Sequence, residues 1–223
     1  MTAHSATPRP DRALAANAEA EERLLRSVRA MRPEQVFEPS ALPGWTRGHL
    51  LAHLARNADG MVNLLTGARI GTPIAMYSSL QERDDGIEAG AKRPLPEQLA
   101  DLRDSAARLA EAADAMPDHA WGVEVPHRLG VFPAAYVPVK RTQEIHYHLV
   151  DLALDCTPAE WPADFVSREL GPLTARHLES GVLTQELLDS FDATPAALLA
   201  WLSGRSDGSG LGVPLSVLPA LPR

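Results

Sequence analysis

The chain has 223 residues, 45% of them hydrophobic and 22% charged, the balance of a soluble globular protein long enough to bury a core. With 29 acidic against 21 basic residues the net charge is −8, which argues against nucleic acid and anionic membranes as partners, because phosphate binding rests on a basic face. Cys156 is the single cysteine, so no internal disulfide can form, and no apolar run has the length of a membrane span or signal-peptide core; a cytoplasmic protein is expected.

Residues 1–10 read as a flexible tail. From Asp11 to about Met31, Leu14, Ala18, Leu25 and Val28 recur at helical spacing. The segment MRPEQVFEPSALPGW then breaks the pattern with three prolines and a glycine. A second helix is marked by Thr46 as N-cap, by Leu50, Leu54, Met61 and Leu65 on one face, and by Gly67 as its stop. Residues 68–95 form a long connection with a short helix around SSLQERDDGI, and a connection of that length is a functional element or a lid. A third helix runs from about Pro96 to Met116, and residues 117–136 suggest a short hairpin or loop. The fourth helix carries RTQEIHYHLVDLAL, with Pro138 either at its start or as a kink. These helices predict a bundle over residues 11–157. Further helices are expected over 162–180, 182–192 and 194–203, then a Gly- and Pro-rich tail with one strand, which together make a small second domain over 158–223. The chain has no internal repeats.

Within RTQEIHYHLVDLAL stand Glu144, His146, His148 and Asp151, all able to bind a metal or move a proton. On a helix, Glu144 and His148 lie four apart and Asp151 three further on, so these three share a face. His146 is two residues from both and points roughly 160–200° away. The set supplies one oxygen and one nitrogen, which zinc accepts, but two ligands do not make a site. The second helix offers His49 and His53, again four apart, with Asn57 one turn further. One of these histidines together with Glu144 and His148 makes three protein ligands and leaves a fourth position open, the mark of a catalytic zinc. Spacing does not choose between His49 and His53. Glu–His pairs at this spacing also occur on solvated helix faces.

Three segments, LPGWTRGHLLAHLARNADGMVNLL (42–65), TPIAMYSSLQERDDGI (72–87) and RTQEIHYHLVDLAL, together resemble the mycothiol-dependent maleylpyruvate isomerases, a family of DinB-like metal-binding four-helix bundles. The similarity covers most of residues 10–155, and the later GRSDG resembles the family's C-terminal segment. It implies a mainly α fold, a DinB-like bundle followed by a small α/β C-terminal domain. It further implies zinc ligands at His53, Glu144 and His148, with His49 as a neighbour and Asp151 and Asn57 in supporting positions. The family's two arginines fall on Arg83 and Arg205, whose guanidinium forks match carboxylates.

The implied cofactors are one divalent metal, zinc, and mycothiol as thiol cosubstrate; the implied substrate is a small anion. A thiol on zinc loses its proton easily, since only the thiolate ligates. Addition to an activated cis double bond, rotation about the resulting single bond and elimination would give the trans product, with Arg83 and Arg205 holding carboxylates and offsetting enolate charge. Cys156 is expected to be incidental. The same motifs suit a mycothiol S-transferase, a non-catalytic metal- or thiol-binding bundle and, more weakly, a zinc hydrolase.

Overall fold

Thr46 starts the helix around which the first part of the protein is built. In the computed structural model, which describes residues 7–127 and 130–220, the Thr46 side chain accepts from the His49 amide, and the His49 ring closes the reciprocal bond to the Thr46 amide. Of the expected tail, residues 1–6 lie outside the described residues.

The chain divides into two compact units, Met1–Leu154 and Asp155–Arg223. In the first, α1 (Asp11–Arg29), α2 (Arg47–Ile70), α4 (Leu95–Asp114) and α5 (Val137–Asp151) form the bundle, and α3 (Leu80–Ala91) packs on α2. Because α3, α4 and α5 all pack on α2, it is buried on most sides. Leu51, Ala55, Ala58 and Leu64 are as inaccessible as the Leu50, Leu54, Met61 and Leu65 face read from the sequence.

Gly67 does not end α2. The helix continues to Ile70 and stops at Gly71, whose φ of 71° lies in the left-handed region open to glycine. Gly67 is there for clearance: a Cβ would sit 2.7 Å from the backbone nitrogen of Ile74, where the connection folds back over the helix. That connection is largely helical, since Ser79 caps α3 by accepting from the Glu82 amide at 3.0 Å. Pro138 falls in the first turn of an unbroken α5, where its missing N–H is not needed.

At the far end of the bundle, Trp121 is inaccessible to solvent within a cluster that includes Met61, Leu64, Leu65, Leu109 and Val137. An antiparallel hairpin follows, β1 (Glu124–His127) paired with β2 (Gly130–Pro133), with Val125 opposite Phe132. No helix among the described residues is long and apolar enough to cross a membrane.

The second unit contains α6 (Ala163–Glu179), α7 (Gln185–Asp189) and α8 (Pro195–Leu202) around Leu183, Trp201, Leu202 and Leu211. The strand expected in the tail is replaced, among the described residues, by two short 3-10 turns. Positive-φ glycines at 204, 208 and 212 turn the chain repeatedly, and Pro214 cannot donate to a ladder. The protein is mainly α, and its small sheet lies in the first unit rather than the second.

Close packing of α3 on α2 carries a prediction. A Cβ on Gly90 would stand 2.6 Å from the Ala52 Cβ, and one on Gly48 2.7 Å from the Ala91 carbonyl oxygen. In an open helix Gly→Ala gains about 1 kcal/mol, but overpacking costs about 1–3 kcal/mol. Gly90→Ala is therefore expected to lose about 1 kcal/mol or more in denaturant unfolding, and a gain would show that α3 has room to move.

Candidate metal centre

His53 projects from α2 and meets Glu144 and His148 from α5. One donor atom of each residue lies within 4.8 Å of the other two. His53 Nε2 is 3.0 Å from Glu144 Oε2, and His148 Nε2 is 3.4 Å from the same oxygen. The two imidazoles stand edge to face, with centroids 4.9 Å apart. Two imidazole nitrogens and one carboxylate oxygen converging on a point form a donor set that a borderline divalent ion such as zinc accepts.

Asp151 is buried and lies behind His148, its Oδ2 2.8 Å from Nδ1. A carboxylate only accepts, so Nδ1 carries a proton toward Asp151 and Nε2 is the nitrogen turned to the cluster, the one free to ligate once its own proton is lost, as in the outer arrangement that metal-binding histidines use. The Asp151 carbonyl accepts from the Ala41 amide at 2.8 Å, which ties the end of α5 to the segment before α2.

Charge and burial act differently on the three groups. Burial lowers the pKa of His53, outweighing the pull of Glu144. For Glu144, burial works upward, but hydrogen bonds from His148 and His53 hold the carboxyl well below its usual range. At His148 burial again opposes the charge, yet Asp151 and Glu144 raise the pKa above its usual value.

The remaining candidates fall in different places. Arg83 reaches in from α3, with Nη2 3.3 Å from His53 Nδ1. His49 is occupied at the helix start, with Nδ1 3.1 Å from the Thr46 amide, Nε2 3.4 Å from Glu88 and the ring stacked on Trp45. Asn57 is buried and accepts from Arg141 rather than from the cluster. His146 is buried and is not among the three converging residues. Arg205 belongs to the second unit, where it donates to the Ser203 carbonyl.

Sequence reading missed Trp45, Tyr77 and Arg141. The Trp45 ring lies 5.7 Å from that of His53. Tyr77, in the connection before α3, has the Arg83 guanidinium 5.9 Å from its ring centre, and burial raises its phenol pKa. Arg141 had a signal: it stands three residues before Glu144 and seven before His148, on the same inward face.

Fold and cluster together define a helical bundle in which two facing helices bring together three residues that could hold a metal ion. Residues 17–153 match the family of the mycothiol maleylpyruvate isomerase N-terminal domain, and the chain belongs to that family. A crystal structure of a mycothiol-dependent maleylpyruvate isomerase superimposes with a TM-score of 0.83 at 25% identity, over 95% of both chains. A second, of a variant in which one histidine is replaced by alanine, matches with the same TM-score of 0.83 at 24% identity, over 99% of this chain and 100% of that one. No protein of curated function matches the chain by sequence.

Proposed function

We propose that the protein is a zinc- and mycothiol-dependent cis–trans isomerase acting in the cytoplasm on maleylpyruvate or a similar cis-ene keto diacid. The observation that carries this reading is the convergence of His53, Glu144 and His148 in a chain of this family.

His53, Glu144 and His148 are the metal ligands in this proposal, and the donor set fits. A divalent ion there supplies Lewis acidity that favours the thiolate form of a bound thiol. Asp151 holds His148 in the tautomer that presents Nε2. Glu144, kept ionised by its two histidine neighbours, contributes negative charge that retains a cation. Arg83, whose Nη2 is 3.3 Å from His53 Nδ1, binds a carboxylate of the substrate and offsets the negative charge that builds up as the thiolate adds to the double bond. Thiol addition makes that bond single, rotation follows, and elimination returns the thiol, so no protein nucleophile is consumed. The direct test incubates zinc-loaded protein with maleylpyruvate, with and without mycothiol, and follows fumarylpyruvate. Turnover only with the thiol is expected, and none at full metal occupancy would overturn the proposal.

Metal binding should depend on pH with a definite sign. Without metal, His148 holds its proton more tightly than an ordinary histidine, whereas His53 is already neutral near pH 7. The metal-free form therefore carries more protons, and acid favours it. Affinity in a chelator competition is expected to rise with pH until His148 is neutral, which its raised pKa delays beyond the range of an ordinary histidine. An affinity that was flat, or that rose on acidification, would contradict this assignment.

A further inference from the structure

Two buried arginines bracket the cluster along the seam between α2 and α5 without hydrogen-bonding to it. Arg141, on α5, has no solvent exposure. Its Nη1 donates to the Leu54 carbonyl at 2.6 Å and to Asn57 Oδ1 at 2.9 Å, both on α2. Its Nε and Nη2 donate to the two Glu21 oxygens on α1, at 2.7 and 3.3 Å. Arg47, the first residue of α2, reaches the other way. Its Nε donates to the Leu152 carbonyl at 2.7 Å and its Nη2 to the Ala153 carbonyl at 3.0 Å, just past the end of α5, while Nη1 donates to Glu38 at 2.7 Å. Ala153, the residue so held, has a φ of 51° without being glycine.

Each helix thus sends an arginine to backbone carbonyls of the other helix or its end. The metal cluster lies between the two clamps: His53 directly precedes Leu54, and Glu144 and His148 lie between Arg141 and Leu152. Carbonyl oxygens are rigidly attached to the helix, so bonds to them fix its position in a way that bonds between flexible side chains do not. A one-residue slip moves a helix by about 1.5 Å, whereas metal–ligand distances tolerate about 0.2 Å. The single hydrogen bond between His53 and Glu144 does not by itself set the seam to that tolerance. Arginine suits the task because one planar fork spans two helices and remains charged when buried.

We propose that Arg141 and Arg47 are positioning residues that fix the register and spacing of α2 and α5, holding the three donor atoms in place before a metal arrives. This inference rests on the metal-site reading above. Removing Arg141 alone would strand the Glu21 carboxylate in the core, so a loss of folding would say nothing about position. The informative variant is R141M/E21M, which replaces the ion pair with apolar chains of similar length and is expected to melt near the wild type. Cobalt(II) is the probe, read by its visible spectrum and by titration. The double variant is expected to bind at least tenfold more weakly with an altered visible band, and Arg47→Met to do the same through the other clamp should the double variant fail to fold. A stable double variant with wild-type cobalt affinity and spectrum overturns the positioning role, as does a folded Arg47→Met that matches the wild type. Wild-type protein that takes up no cobalt overturns the metal-site reading itself.

Discussion

Replacing His53 with alanine is expected to remove the metal and the proposed isomerisation together, while His146→Ala keeps both. His53 is the only donor that α2 brings to the cluster, and its Nε2 lies 3.0 Å from the Glu144 carboxylate. Without it the two α5 residues form the half-site that one helix can offer. Losing an outer partner of a metal ligand costs roughly 10–100-fold in affinity, and Asp151→Asn is expected within that range. Loss of a ligand exceeds it, so His53→Ala should emerge from gel filtration with no metal. His146 is also buried, so its alanine variant pays in stability, and metal content must be measured per folded molecule. Equal metal loss from both variants would mean that the cluster is not the site.

Trp121→Ala should produce the largest loss of stability. The indole is inaccessible to solvent and joins the C-terminal half of α2 to α4 and to the start of α5. Truncating a buried aromatic of this kind costs about 3–5 kcal/mol, a large part of the roughly 5–15 kcal/mol that holds a domain together. Its Nε1 is buried with no hydrogen-bond partner among the described residues. Trp121→Phe therefore gives up volume but no hydrogen bond, and should lose less than half as much in guanidinium unfolding. Because Trp121 packs against Met61, Leu64 and Leu65, two turns and more from His53, the folded fraction of either variant should keep its metal affinity. A phenylalanine variant as unstable as the alanine one would show that the indole N–H matters after all.

Local sequence rules carried the helices well and the contacts between them poorly. Helical phase alone sets Glu144 and His148 on one face and His146 on another, and the structure brings together the first two and not the third. The choice between His49 and His53 was beyond phase, since both lie on one face a turn apart. What separates them is tertiary: His49 is taken up by the Thr46 cap, and His53 stands opposite Glu144. Gly67 illustrates the same limit, for a glycine late in a helix reads as a stop, whereas this one makes room for a returning chain. Arg141 was visible as a charge on an inward face, but its partners Glu21, Leu54 and Asn57 are 84 to 120 residues away, and no local pattern names them. In the tail, the one strand expected beside the Gly- and Pro-rich loop gives way, among the described residues, to turns that glycine conformations and Pro214 dictate.

X-ray absorption at the zinc edge of the zinc-loaded protein, recorded before and after adding mycothiol, tests the central claim most directly. One zinc per chain is expected, bound at first by nitrogen and oxygen only, with His53, Glu144 and His148 as its protein ligands. Mycothiol should then add a single sulfur at about 2.3 Å. A shell that gains no sulfur, or a protein that holds no zinc, would contradict it.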